Sequence, residues 1–187
     1  MGWIVLGIVA FSVVGFVLYS IGIYNGLIRL KHAVDRSWAN IDVLLKQRHD
    51  EVPKLVATVK GYAKHEREVL QNVIEARSAF DRAGSVAEKG EADSLMRSAL
   101  GRLFAVAEDY PELKADQSFV MLQERVSGIE DGIADRREFF NHSVNAFNVR
   151  IEQIPDIVIA RLIGLQSREL FEARGEDRQD VSIDFGA

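Results

Sequence analysis

From Trp3 to Tyr24 the chain reads WIVLGIVAFSVVGFVLYSIGIY, without one charged side chain, and the first charge after it is Arg29. At about 1.5 Å per helical residue this run is long enough to cross a hydrocarbon core of about 30 Å. Trp3 and Tyr24 bracket it, as aromatic residues do at the two faces of a bilayer. A buried core helix and a signal peptide are the rival readings. A signal peptide would carry a basic start, a shorter apolar core and a small-residue cleavage site. Nothing basic precedes this run, and Ser20-Ile21-Gly22 is followed by more apolar residues. The expectation is a retained anchor over residues 1–25 that meets lipid through residues 3–24. Arg29, Lys31 and Arg36 follow the span and no charge precedes it. Basic residues resist translocation, so the N-terminus is expected outside and the rest of the chain in the cytoplasm.

Past the span the apolar residues recur three and four apart, the period of a helix that buries one face. Leu27, Leu30, Val34, Trp38, Ile41 and Leu45 form one stripe; Leu55, Val59, Tyr62, Val69, Val73 and Phe80 resume it. Pro53 lacks a backbone donor and is expected to kink or restart the helix, with Asp50 as the new cap. AGSVAEKGEA at 83–92 reads as a polar break punctuated by Gly84 and Gly90. A second helix is expected from a cap at Asp93 to Tyr110, with Leu95 or Met96, Leu100, Leu103, Val106 and Ala107 inward. Pro111 then forces a turn. The third helix keeps its beat from Phe119 to Ile154, broken only by Arg137, and would be about 55 Å long. Pro155 stops it, and a shorter helix is expected from Asp156 to about Phe171. The spacing therefore predicts an all-α fold: an antiparallel bundle of three to four long helices over 26–171, on an N-terminal transmembrane helix, with a charged tail at 172–187.

Composition removes several chemistries. The net charge of -5 disfavours nucleic acid, whose phosphates need a basic surface. With no Cys there is no thiolate catalysis, disulfide or Cys-ligated zinc. His65-Glu66 begins a helical zinc pattern, but Val69 stands where the second His belongs. No Glu-x-x-His, phosphate-binding Gly loop or Gly-x-Ser-x-Gly occurs. No catalytic, cofactor-binding or metal residue is therefore nominated. A membrane-tethered hydrolase or metal enzyme stays the alternative of another class. Phe140-Asn141 and Phe147-Asn148 lie two turns apart and so face one way. Each pair reads as an aromatic in the core with an Asn bonding across helices to hold register, or as a polar ligand ladder.

SWANIDVLLKQRHDEVPKLVATVKGYAKHE, ALGRLFAVAEDYPELKADQSFVMLQ, the Phe-Asn pairs of RREFFNHSVNAFN and the closing VSIDF together resemble the LemA family over nearly the whole chain. Departures are small: Gln117-Ser118-Phe119 stands where Asn-Phe is common, and a Pro usual before the final Val-x-Asp-Phe is absent. The resemblance implies a membrane helix with a cytoplasmic helical bundle and no established enzymatic activity. It also implies a link, in some members, to a membrane metalloprotease or to membrane organisation. The expected protein is a non-enzymatic scaffold or adaptor that presents its bundle to protein partners. Its alternative is a regulator of a membrane protease. Gly15, Gly22 and Gly26 fall within roughly 40° of one helix face and are the candidate transmembrane packing face of a homo-oligomer.

Overall fold

The computed structural model describes residues 1–171, and the expected tail at 172–187 lies outside the described residues. Helices α1 (Gly2–Tyr62), α2 (Arg67–Arg82), α3 (Val86–Ala107), α4 (Pro111–Lys114), α5 (Gln117–Glu152) and α6 (Asp156–Leu162) follow in order. Among the described residues there is no strand, so the fold is an all-α helical bundle, as the apolar period required.

The apolar run and the first bundle helix are one element of 61 residues. The restart expected at Pro53 does not occur, and Asp50 is not a cap. Pro53 still removes the bond to the carbonyl one turn back, that of His49. Arg77 Nε on α2 points at that orphaned oxygen from 3.5 Å, the long end of a hydrogen bond. The helix ends instead at Tyr62, before a short turn whose Ala63 is fully buried.

The polar break is shorter than expected. Ser85 accepts from the Glu88 amide at 3.1 Å, and the Glu88 carboxylate accepts from the Ser85 and Gly84 amides. This capping box starts α3 at Val86, seven residues before the expected start, so Asp93 is no cap and Gly90 no break. Pro111, placed in a turn, opens α4 at a position where a missing donor costs nothing. The last helix stops at Leu162, well short of Phe171. Gly164 takes φ +70, and the amides of Gly164 and Leu165 close back on the carbonyls of Arg161 and Ala160.

Contacts divide the chain into two compact units. The first holds Met1–Asn40 with Glu138–Glu169; the second holds Ile41–Arg137 with the described residues 170 and 171. In the first, α1 and α5 run antiparallel. Trp38 meets Phe140 with ring centroids 5.5 Å apart, and Lys31 lines the same cleft as Phe147. Stepping seven residues back on α1 thus matches seven forward on α5. Leu27, Val34, Phe140, Val144 and Phe147 fill this core. Trp38, expected inside, is half-buried.

In the second unit, Val52, Leu55 and Val59 of α1 bury with Leu70 and Val73 of α2, Met96, Leu100 and Leu103 of α3, and Phe119 and Val126 of α5. Each such side chain contributes about 1.5–3 kcal/mol through its removal from water. Tyr62, assigned inward from the stripe, is exposed, and of the pair Leu95 or Met96 it is Met96 that is buried. Tyr62 instead donates its hydroxyl to Asp116.

Candidate functional site

Two features stand out: an apolar span with nothing packed on it, and a largely buried charged cluster in the second unit. The span comes first in the chain. The most apolar stretch of α1 has no buried residue, and its length and composition suit a membrane crossing. Trp3 and Tyr24 are both exposed. At Gly15, Gly22 and Gly26 an added Cβ would meet no atom within 4 Å, so this face is open along the helix. Protein packing begins at the far end of the run: Ile23 is 7% exposed and Leu27 fully buried. Arg29 and Arg36 are exposed beside them, and Lys31 half-buried.

The charged cluster joins α1, α3 and α5. Asp93 has no exposure and Arg48 only 3%. One Asp93 oxygen accepts from Arg137 and, at 3.3 Å, from Arg97. The other lies 2.8 Å from Arg48 Nη1 without hydrogen-bond direction, a charge contact only. Arg48 donates to Glu130, and Arg97 Nε stands 3.6 Å from the second Glu130 oxygen. Burial pushes the Arg137 guanidinium below the ordinary arginine value, while the Asp93 charge pulls it back. An arginine so held remains a cation at any physiological pH. Arg137 also stacks over the Phe171 ring at 5.3 Å.

Three guanidinium groups thus surround two carboxylates. Each carboxylate faces guanidinium groups, the arrangement of a buried ion cluster. Among the described residues no three His, Asp or Glu side chains gather as metal ligands. His49 packs on Phe80 and lies 2.8 Å from Arg77 Nη2.

Arg137 interrupts the apolar beat of α5, Asp93 lies inside α3 instead of capping it, and no sequence motif nominates Arg48. The signal was present. Arg48 falls on the beat Ile41, Leu45, Val52, Leu55, and Asp93 on the beat Met96, Leu100, Leu103. Three charges at core positions on three helices mark a buried network. The Phe-Asn pairs are partly as expected, with Phe140 and Phe147 in the core. Asn148, however, does not bridge to another helix. It grips the backbone of Arg168 from both sides, at 2.9 and 2.8 Å, and so holds the segment that follows α6.

A model of the LemA family matches residues 37–185. The magnetosome protein MamQ of Magnetospirillum gryphiswaldense is 24% identical over 197 residues, which covers 91% of this chain and 72% of that protein. Protein LemA of Metamycoplasma hominis is 27% identical over 188 residues, covering 94% of this chain and 84% of the relative.

Proposed function

The chain belongs to the LemA family, and from that premise we propose that it is a membrane-anchored, non-enzymatic helical scaffold that presents its bundle to protein partners in the cytoplasm. Residues 3–24 hold it in the bilayer, and residues 26–171 form the presented surface. The observation that carries this reading is the continuity of α1. One helix is bare over its apolar part and packed from Ile23 onward, so a membrane crossing passes directly into a folded bundle. The three basic residues just past the span favour the cytoplasmic side for that bundle. The geometry of the Asp93 cluster supports a structural role, because its carboxylates face guanidinium groups instead of an open pocket.

A photocrosslinking amino acid at Leu95, and separately at Met121, tests this in intact cells; both side chains are exposed on the second unit. Discrete adducts to another polypeptide, reproduced from both positions, are expected. Adducts that form only from positions within residues 3–24 would overturn the scaffold reading and leave a protein that acts inside the membrane.

A further inference from the structure

Helix α6 and the turn before it carry apolar side chains that nothing in their own unit covers. Ile154, Val158 and Leu162 are 87%, 68% and 86% exposed. Val158 and Leu162 lie four apart and so share one face of the helix. Asp156, the first residue of α6, is buried and accepts from the exposed Arg150 at 2.5 Å, and Ala160 is buried as well. The helix is thus pinned by Asp156 and Ala160, with Ile157 and Ile159 half-buried, and turns Val158 and Leu162 outward. A water-facing helix would show the opposite pattern.

The height of α6 along α1 follows from the pairing of α1 with α5. Trp38 pairs with Phe140, and Lys31 lines a cleft with Phe147. Continued at the same step to the end of α5, the pairing places Glu152 level with Gly26, and Ile154, two residues further on, near the level of Tyr24, the last residue of the apolar run. Ile23 and Leu27 are buried at that level, so packed protein does reach it. The segment after α6, Gly164 to Arg168, lines the Lys31 cleft again. Helix α6 is therefore confined between the levels of Tyr24 and Lys31, a range of about 10 Å. That range is comparable to the head-group zone of a bilayer, about 5–8 Å on each side of the hydrocarbon. Arg29 and Arg161 are exposed at the same height.

We propose that α6 is a second membrane contact: it lies in the interface at the end of the span and sinks Ile154, Val158 and Leu162 into lipid. An interfacial helix of this kind buries its apolar side about 5–10 Å into the boundary of head groups and acyl chains, with basic residues at the anionic head groups. It fixes the first unit against the bilayer surface at two points, so the bundle cannot swivel freely on a single stalk. The inference rests on the reading of residues 3–24 as membrane-embedded.

The chain has no cysteine, so single labels are clean. The full chain is labelled with an environment-sensitive fluorophore at Leu162→Cys, Phe139→Cys or Phe11→Cys. Each variant is reconstituted in vesicles of phosphatidylcholine and phosphatidylglycerol. Lipids brominated near the head-group end of the acyl chain, or deep in it, serve as quenchers. Phe139 is the matched control: it is exposed in the same unit but stands about 22 Å above the level of Tyr24. The Leu162 probe should shift to the blue and lose most of its emission to the shallow bromines, the Phe11 probe to the deep ones, and the Phe139 probe to neither. If Phe11 is quenched while Leu162 behaves like Phe139, the α6 inference fails and the anchor stands. A blue shift at Leu162 without lipid quenching means that a protein surface covers the face, which also overturns it. An unquenched Phe11 removes the anchor reading and this inference with it. Val158→Cys repeats the measurement from the same face if the Leu162 variant loses helix content.

Discussion

Arg48 Nη1 lies 2.8 Å from an Asp93 carboxylate oxygen, and both side chains are almost wholly buried. One comes from α1 and the other from α3, and Arg137 of α5 binds the same carboxylate. A buried ion cluster gains little against a well-packed apolar core, but losing one member leaves the others charged and unpaired. Asp93→Ala is therefore expected to destabilise the protein by about 3–5 kcal/mol. Replacing Arg48, Asp93, Glu130 and Arg137 together by Met, Leu, Met and Leu should cost much less than the single change, because only the half-exposed Arg97 keeps its charge. Urea unfolding of the full chain in detergent, followed by circular dichroism, checks both. Equal losses for the single and quadruple variants would show that the cluster is not an electrostatic unit.

Asp42 carries the pH dependence. Burial raises its pKa, but Lys46 and Lys89 outweigh that and hold the carboxyl below the ordinary aspartate value of 3.8. A depressed folded pKa contributes stability that is complete above the unfolded value and is lost as pH falls through the folded one. The stability gap between the native chain and Asp42→Asn should stay constant through neutral pH and close on acidification below 3.8. A gap that does not change with pH would exclude the two lysines as the cause.

The start of α3 rests on one hydroxyl. Ser85→Ala removes the acceptor of the Glu88 amide and should cost about 1 kcal/mol, a clear drop in melting temperature. Ser85→Thr should keep most of it. No change with Ala would place the helix start elsewhere.

Much of this fold was readable from apolar spacing, because burial imposes the helical period wherever a helix meets a core. Phe119, Val126, Ile129, Ile133, Phe140, Val144, Phe147 and Ile151 are all buried as the beat required. Boundaries were less legible because they depend on local hydrogen bonds. Ser85-Val86-Ala87-Glu88 was a readable capping signature, and Gly164 a readable stop. Pro53 misled for a different reason: a tertiary partner, Arg77, stands at the carbonyl that the proline leaves bare. The charged cluster is hard to read because a charged side chain on a helix usually faces water, and only its place on the apolar beat marks it as buried.

An added Cβ at Gly15, Gly22 or Gly26 would meet no atom within 4 Å, and we propose this face as the seam of a homo-oligomer in lipid. Gly22→Leu should weaken self-association in membranes, whereas Val17→Leu, which faces elsewhere, should not. Crosslinking at equal expression compares them. Identical ladders for Gly22→Leu and the native chain would remove this face as the seam.

The central claim is that α1 carries the chain across a bilayer and leaves the bundle in the cytoplasm. Cysteine labelling from both ends of the crossing tests it most directly, because the chain has no cysteine of its own. Gly2 and Ser127 are both exposed, one before the apolar run and one on α5. With a membrane-impermeant maleimide on intact cells, Gly2→Cys should label at once and Ser127→Cys only after lysis. Labelling of Ser127→Cys before lysis, or protection of both positions, would contradict the account.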